Sequence, residues 1–215
     1  MTSLRDQILF FRQFRQRFET TGAVLPSSRF LARAMTRPLA RCSGPRRILE
    51  VGPGTGAVTG HIVREVKPED RFDLVEINQD FARLLQDRFQ SDPNYLPAAP
   101  VSNVHVCPLQ DFAADGLYDV IISGLPFNNF PAELVESLVD RCLSLLKPGG
   151  TFSLFEYMFI RPIRVSVTRG PEKERLAAIE RIMQTRFQAQ RVRRDWIFIN
   201  VPPAWVQHLQ RPVEG

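Results

Sequence analysis

Cysteine, histidine and tryptophan are all scarce in this chain, and acidic residues are nearly missing from its first fifth. Cys42, Cys107 and Cys142 are scattered without metal-ligand spacing, and each lies in or beside an apolar run. They read as reduced core thiols of a cytoplasmic protein, and no metal site is expected. His61, His105 and His208 fall outside every motif, so none is expected to be catalytic. No apolar run approaches the length of a membrane span. The arginine- and phenylalanine-bearing N-terminus has no small-residue cleavage site, so neither a membrane-spanning helix nor a signal peptide is expected. Residues 1–47 hold ten arginines against Asp6 and Glu19, a balance of +8 within a total of +5, which leaves −3 for the other 168 residues. The basic character therefore belongs to an N-terminal arm and implies an anionic partner, either membrane phosphate or nucleic acid.

With 215 residues, 44% of them hydrophobic, the chain can bury a full core and is expected to form one domain. Its organising stretch is 48–56, ILEVGPGTG. A short apolar run suited to a buried parallel strand leads into Gly52, Gly54 and Gly56 where the chain should turn into a helix. Such a turn brings backbone N–H groups close to a ligand. Glu50 precedes the glycines, and Glu76 lies in a second apolar run, 72–77, about twenty residues on, where an acid can accept both hydroxyls of an adenosine ribose.

Apolar residues at Leu4, Ile8, Leu9, Phe11, Phe14 and Phe18, interleaved with Arg5, Arg12, Arg15 and Arg17, predict an amphipathic helix. It either lies in a membrane interface or packs over the sheet, and its periodicity serves both. After a break at 20–26, a second helix is expected from Arg29 towards Thr36, with Phe30, Leu31, Ala34 and Met35 on its apolar face. Further on, helices are predicted over 58–66, 79–89, 134–146 and 172–187, and strands over 72–77, 104–107, 118–123, 151–157, 192–201 and 204–209. The helix at 79–89 should turn Phe81, Leu84, Leu85 and Phe89 inward, and the polar, proline-rich passage 91–100 reads as a surface loop. In a doubly wound sheet, residues 123–130 should face the same crevice as the glycines. There Ser123, Asn128, Asn129 and the ring of Phe127 would form a pocket edge.

Glu50 with three alternating glycines, Pro53 and Thr55 resembles motif I of the S-adenosylmethionine-dependent methyltransferases. TTGAVLPSSRFLARAM, GLPFNNFP and FEYMFIRPIR extend the resemblance over nearly the whole chain, to the peripheral bacterial phosphatidylethanolamine N-methyltransferases. Motif I is also similar to that of the rRNA adenine dimethyltransferases, although their acceptor loop and additional C-terminal helical domain are not matched. The resemblance implies an α/β, single-domain, Rossmann-like fold, its seven-stranded, mostly parallel sheet closed by a final antiparallel strand. N-terminal amphipathic helices at 1–40 would serve as membrane arm and lid, with the methyltransferase domain at 41–215. Its implied donor site comprises Glu50, Gly52, Gly54, Thr55, Gly56, Glu76, Ile77, Gln110, Asp111, Ser123 and Gly124. An adenine-contacting aspartate usually stands just after the third strand; here Leu109 or Gln110 holds that place and Asp111 follows, as a ligand or a helix cap.

On the acceptor side, Phe127, Asn128 and Tyr157 are the catalytic candidates. Tyr157 would accept a proton or stabilise a developing ammonium, or is a half-buried strand residue. Asn129, Arg161 and Arg164 are the substrate-binding candidates, the two arginines suited to a lipid phosphate or otherwise solvated. The implied reaction is methylation of the phosphatidylethanolamine amine, once or repeatedly, towards phosphatidylcholine. The expected location is the inner face of the membrane, with S-adenosylmethionine as cofactor, the anionic membrane as partner and no nucleic acid. The alternatives are a methyltransferase on rRNA adenine or a small soluble amine, and more distantly a donor-binding module without catalysis.

Overall fold

A computed structural model describes residues 29–158, 169–200 and 202–213. Its strands are β1 (Arg47–Val51), β2 (Arg71–Val75), β3 (Ser102–His105), β4 (Tyr118–Ser123), β5 (Leu146–Tyr157), β6 (Arg191–Ile197) and β7 (Ala204–Gln210). Its helices are α1 (Arg29–Thr36), α2 (Thr59–Ile62), α3 (Gln79–Ser91), α4 (Ala132–Ser144) and α5 (Pro171–Gln190). The strands form one seven-stranded sheet in the order β3-β2-β1-β4-β5-β7-β6. The first five are mutually parallel, and β7 runs antiparallel to both β5 and β6. The order reverses between β1 and β4, and in doubly wound sheets ligands bind outside the strand ends at that point.

Each face of the sheet carries its own apolar core. Leu31 and Met35 of α1, Ile62 of α2 and Leu85 and Phe89 of α3 pack with Ile48, Phe72, Leu74, Val120 and Ile122 on one side. On the other, Val135, Leu138 and Cys142 of α4 and Ile179, Met183 and Phe187 of α5 cover Leu49, Ile121, Phe152 and Leu154. Strands buried on both faces read as near-continuous apolar runs, as VIIS and ILEV do. Helix α1 belongs to this core: it buries Leu31, Ala32, Ala34 and Met35 against the sheet.

Several expectations need local correction. Regular α-helix after the glycines is confined to Thr59–Ile62 instead of 58–66, because Gly56, Gly60 and the β-branched Val58, Thr59 and Val63 favour turns over helix. Leu84 faces solvent and Phe81 is only half-buried; Ala82 takes the inward position beside Leu85 and Phe89. The passage 91–100 is not a plain surface loop, since Tyr95 and Ala98 are buried and Leu96–Val101 forms a 3-10 helix. Strand β5 starts at Leu146 and includes the KPGG expected as a stop, while β6 ends at Ile197, short of 201. The predicted N-terminal amphipathic helix and lid, together with Arg161 and Arg164, lie outside the described residues.

A buried ion pair ties the entry of β1 to the entry of β2. The Arg46 guanidinium pairs with the Asp70 carboxylate, and Arg46 Nη1 also donates to the Leu39 carbonyl at 3.0 Å. The backbone N–H groups of Arg46 and Lys67 each donate to the same carboxylate at 2.8 Å. Removing one partner of such a pair strands the other charge in the core, at a cost of about 3–5 kcal/mol. Asp70→Asn should therefore lower the unfolding free energy by an amount in that range, measured by urea unfolding at pH 7.

Candidate active site

The carboxyl ends of β1 and β4 meet where the glycine turn begins. The Gly124 N–H donates to the Val51 carbonyl at 2.9 Å, and a Cβ on Gly124 would lie 2.6 Å from the Gly52 carbonyl oxygen. Gly52, at φ +66°, faces the Leu125 side chain so closely that its own Cβ would come within 2.4 Å of it. Gly124 therefore has no room for a Cβ, and at Gly52 the positive φ favours glycine. Gly54 differs: φ is +56°, but a Cβ there would meet nothing within 4 Å, so this bend borders open space.

The turn is held from behind. Glu76, just past β2, accepts the Gly54 N–H on Oε2 at 2.9 Å and the Asn78 N–H on Oε1 at 2.8 Å. Each oxygen keeps a further lone-pair site for a ligand hydroxyl. Arg88 of α3 donates to the Thr55 carbonyl at 2.7 Å, and the Tyr95 hydroxyl donates to the Gly56 carbonyl at 3.3 Å. With two of its carbonyls engaged on that side, the turn is fixed in one conformation. Neither Arg88 nor Tyr95 was picked out from the sequence. The buried aromatic inside the polar passage 91–100 was the available signal.

Glu50 is 1% exposed and accepts the Thr59 hydroxyl at 2.8 Å. Burial, with the nearby Glu76 charge adding to it, pushes its carboxyl up to about 8. Glu76 is also pushed above the usual carboxylate range by burial, partly offset by the backbone N–H groups it accepts. A cationic ligand beside these two acids would favour their ionised forms. A glycine turn bordering open space, a ribose-type acid one strand over and a buried acid beneath thus fit an adenosine-bearing cation such as S-adenosylmethionine.

Beyond β3, Gln110 is half-buried and Asp111 exposed in the 3-10 turn Leu109–Asp111. Asp111 is not a helix cap; Pro108 occupies that position without a side-chain bond. Ile77 is half-buried beside Glu76, and Thr55 is exposed on the turn. Ser123 was expected at the pocket edge, yet it is fully buried and its hydroxyl accepts the Leu125 N–H at 3.2 Å, shaping the bend into the acceptor loop.

In that loop Phe127 is also corrected. Its ring is 4% exposed, sits edge-on to Phe130 at 6.4 Å and belongs to the core beneath the loop, so it offers substrate little aromatic face. Asn128 and Asn129 are half-buried. Arg175, in the first turns of α5, straps the loop by donating to the Asn128 carbonyl at 3.1 Å and to the Phe130 carbonyl, while pairing with Glu172 at 2.8 Å. Asn128 and Tyr157 line one cavity of about 170 Å³ together with Glu156, Glu180, Trp205 and Gln207. Burial pushes the Tyr157 hydroxyl up, so it stays a neutral phenol at neutral pH and is not a general base there. A roomier cavity, about 320 Å³, opens at the opposite end of the sheet near Arg41, Lys147 and Gln210 and holds none of the predicted site residues. His105 and His208 are structural: His105 Nε2 is 2.9 Å from Asp73, and His208 lies between Ser153 and Asp195. Among the described residues no group of His, Cys, Asp and Glu could hold a metal ion.

Two outcomes test this geometry. Gly124→Ala should reduce donor affinity at least tenfold by calorimetry, because its methyl cannot clear the Gly52 carbonyl. Glu50, ordinarily near 4.5, is raised in the fold, so its contribution to stability is full below pH 4.5 and is lost as pH rises through about 8. Thermal melts should therefore show Glu50→Gln gaining on the wild type between pH 5 and 9.

The profile of the family described as AdoMet dependent proline di-methyltransferase matches residues 19–172. The chain is 32% identical, over 70% of its length and 77% of the relative's, to an ornithine lipid N-methyltransferase of Singulisphaera acidiphila. It is 24% identical to a ribosomal RNA small subunit methyltransferase A of a Synechococcus species, over 64% of this chain and 47% of that one. In fold it is similar to an O-methyltransferase of tomaymycin synthesis from Streptomyces achromogenes, solved in complex with S-adenosylmethionine. That likeness has a TM-score of 0.65 and 17% identity over 98% of this chain and 92% of the other. With the glycine turn, the paired acids and the sheet order all in place, the chain belongs to the S-adenosylmethionine-dependent methyltransferases, in the family named for proline dimethylation.

Proposed function

We propose that this methyltransferase acts on the amine nitrogen of a membrane lipid headgroup, with phosphatidylethanolamine, methylated towards phosphatidylcholine, as the substrate. The observation that carries this reading is the likeness to an ornithine lipid N-methyltransferase across three quarters of that protein's length. Both lipids present a primary amine, so the chemistry asked of the site is the same. No helix of the described residues is long and apolar enough to cross a membrane.

When bound, S-adenosylmethionine supplies an electrophilic methyl group. Gly52, Gly54 and Glu76 would hold it at the strand ends, with Glu50 beneath, and Gln110 and Asp111 would flank its base. What remains for the protein is to place a neutral amine in line and to keep water away from it. Asn128 stands at the cavity shared with Tyr157, where its side-chain oxygen can accept an amine hydrogen and orient the lone pair. The Tyr157 phenol, neutral at working pH, would offer hydrogen bonding and the face of its ring to a growing positive charge. Arg161 and Arg164 would take the lipid phosphate. A reading as an RNA methyltransferase draws on the weaker likeness to the ribosomal RNA enzyme.

The test is transfer of labelled methyl from S-adenosylmethionine to vesicles of phosphatidylethanolamine or ornithine lipid, with separation of the products. Labelled mono-, di- or trimethylated lipid is expected. Label appearing in ribosomal RNA and in neither lipid, from protein that binds the donor, would overturn the proposal. Asn128→Ala should lower turnover about tenfold, the worth of one buried hydrogen bond, with donor affinity unchanged.

A further inference from the structure

Strand β6 ends in a feature the reaction does not use. Phe198 and Ile199, just past β6, are 67% and 69% exposed, and Trp196 at its end is 52% exposed. Of the large apolar side chains in the described residues, only Val213 near the C-terminus is more exposed than this pair. The group is ordered by packing. Trp196 stacks on Phe198 at 5.8 Å between centroids, meets Trp205 edge-on at 5.6 Å, and Trp205 carries the Arg194 guanidinium over its ring at 5.3 Å. Following these contacts towards the end of β6, the groups run guanidinium, indole, indole and phenyl, with the exposed Ile199 next in the chain.

Position matters as much as composition. Ile197 pairs with Ala204, and Ala204 pairs with Tyr157 on the other side, so two inter-strand steps, about 10 Å, separate the end of β6 from the candidate catalytic tyrosine. The Met158 N–H donates to the Pro203 carbonyl at 2.7 Å, and the Asn200 amide donates to the Pro202 carbonyl at 2.7 Å, which fixes the connection to β7 against the end of β5. The apolar projection thus stands at the same pole as the acceptor loop.

We propose that Trp196, Phe198 and Ile199 form a wedge that inserts into a lipid bilayer and sets the acceptor cavity at headgroup level; this rests on the lipid-amine reading of the site. The gradation from guanidinium through indole to hydrocarbon matches the gradation of a bilayer from phosphate through the interface to acyl chains. The three side chains present on the order of 400 Å² of apolar surface, whereas a stable protein interface takes about 800 Å² from each partner. A small convex projection suits a fluid surface better than a second protein.

The chain's two tryptophans both lie in this hairpin, so its own fluorescence reports on it. In full-length Trp205→Phe protein, Trp196 emission should shift to the blue on vesicles of phosphatidylethanolamine and phosphatidylglycerol, and brominated acyl chains should quench it. The paired change Phe198→Ser with Ile199→Ser should abolish the quenching and reduce vesicle partition at least tenfold, with S-adenosylmethionine affinity unchanged as the check on folding. Vesicle binding with Trp196 unquenched, or partition unaltered by the serine pair, would overturn the proposal. So would Trp196 already shielded without lipid in a dimer that the serine pair dissociates in sedimentation. Because insertion is read without turnover, the two readings fail separately. Quenching without lipid methylation removes the substrate and keeps the wedge, and methylation without quenching does the reverse.

Discussion

The crossing of Gly52 and Gly124 is the constraint on which the functional end of the molecule depends. Two backbones leave adjacent parallel strands and approach so closely that Gly124 has no room for a side chain beside the Gly52 carbonyl, while Gly52 itself is held at positive φ against the Leu125 side chain. One continues into the glycine turn and the other into the acceptor loop. The roots of the two branches are thereby held together by main chain. Side chains then brace each branch: Glu76, Arg88 and Tyr95 for the turn, Arg175 for the loop.

Buried carboxylates do two different kinds of work here. Asp70 has its cation, Arg46, and is held below the usual carboxylate range by that guanidinium and by backbone N–H groups, against the opposing effect of burial. Glu50 is met by the hydroxyl and backbone N–H of Thr59, and burial holds its proton on. The first is a finished interaction that fixes where two strands begin. The second is an acid whose preferred ionisation state depends on what binds above it, which suits a site for a cationic donor.

Strand β4 was legible residue for residue, since a buried parallel strand bounded by turn residues has few alternatives. The glycine turn was legible because its backbone conformation demands particular residue types, and Glu76 stands after β2 against that turn, where the spacing put it. Less was visible where distant segments meet. Arg175 reaches across 47 residues to the acceptor loop, and Tyr95 across 39 to the turn, and neither leaves a mark in local periodicity. Phe127 and Ser123 have the composition of a binding edge, but the tight bend after β4 turns both inward. Leu84 shows the limit of apolar patterning, since a leucine on an inward-looking stripe is left facing water when the smaller Ala82 packs closer.

Strand β6 is the outer strand on its side of the sheet, and its first residues are Arg191, Val192, Arg193 and Arg194. An outer strand offers unpaired backbone groups to any passing chain. Were two copies to join edge to edge through β6, rows of guanidinium groups would be set against one another, a repulsion that backbone bonds alone would have to overcome. Charge thus weighs against growth of the sheet on that side.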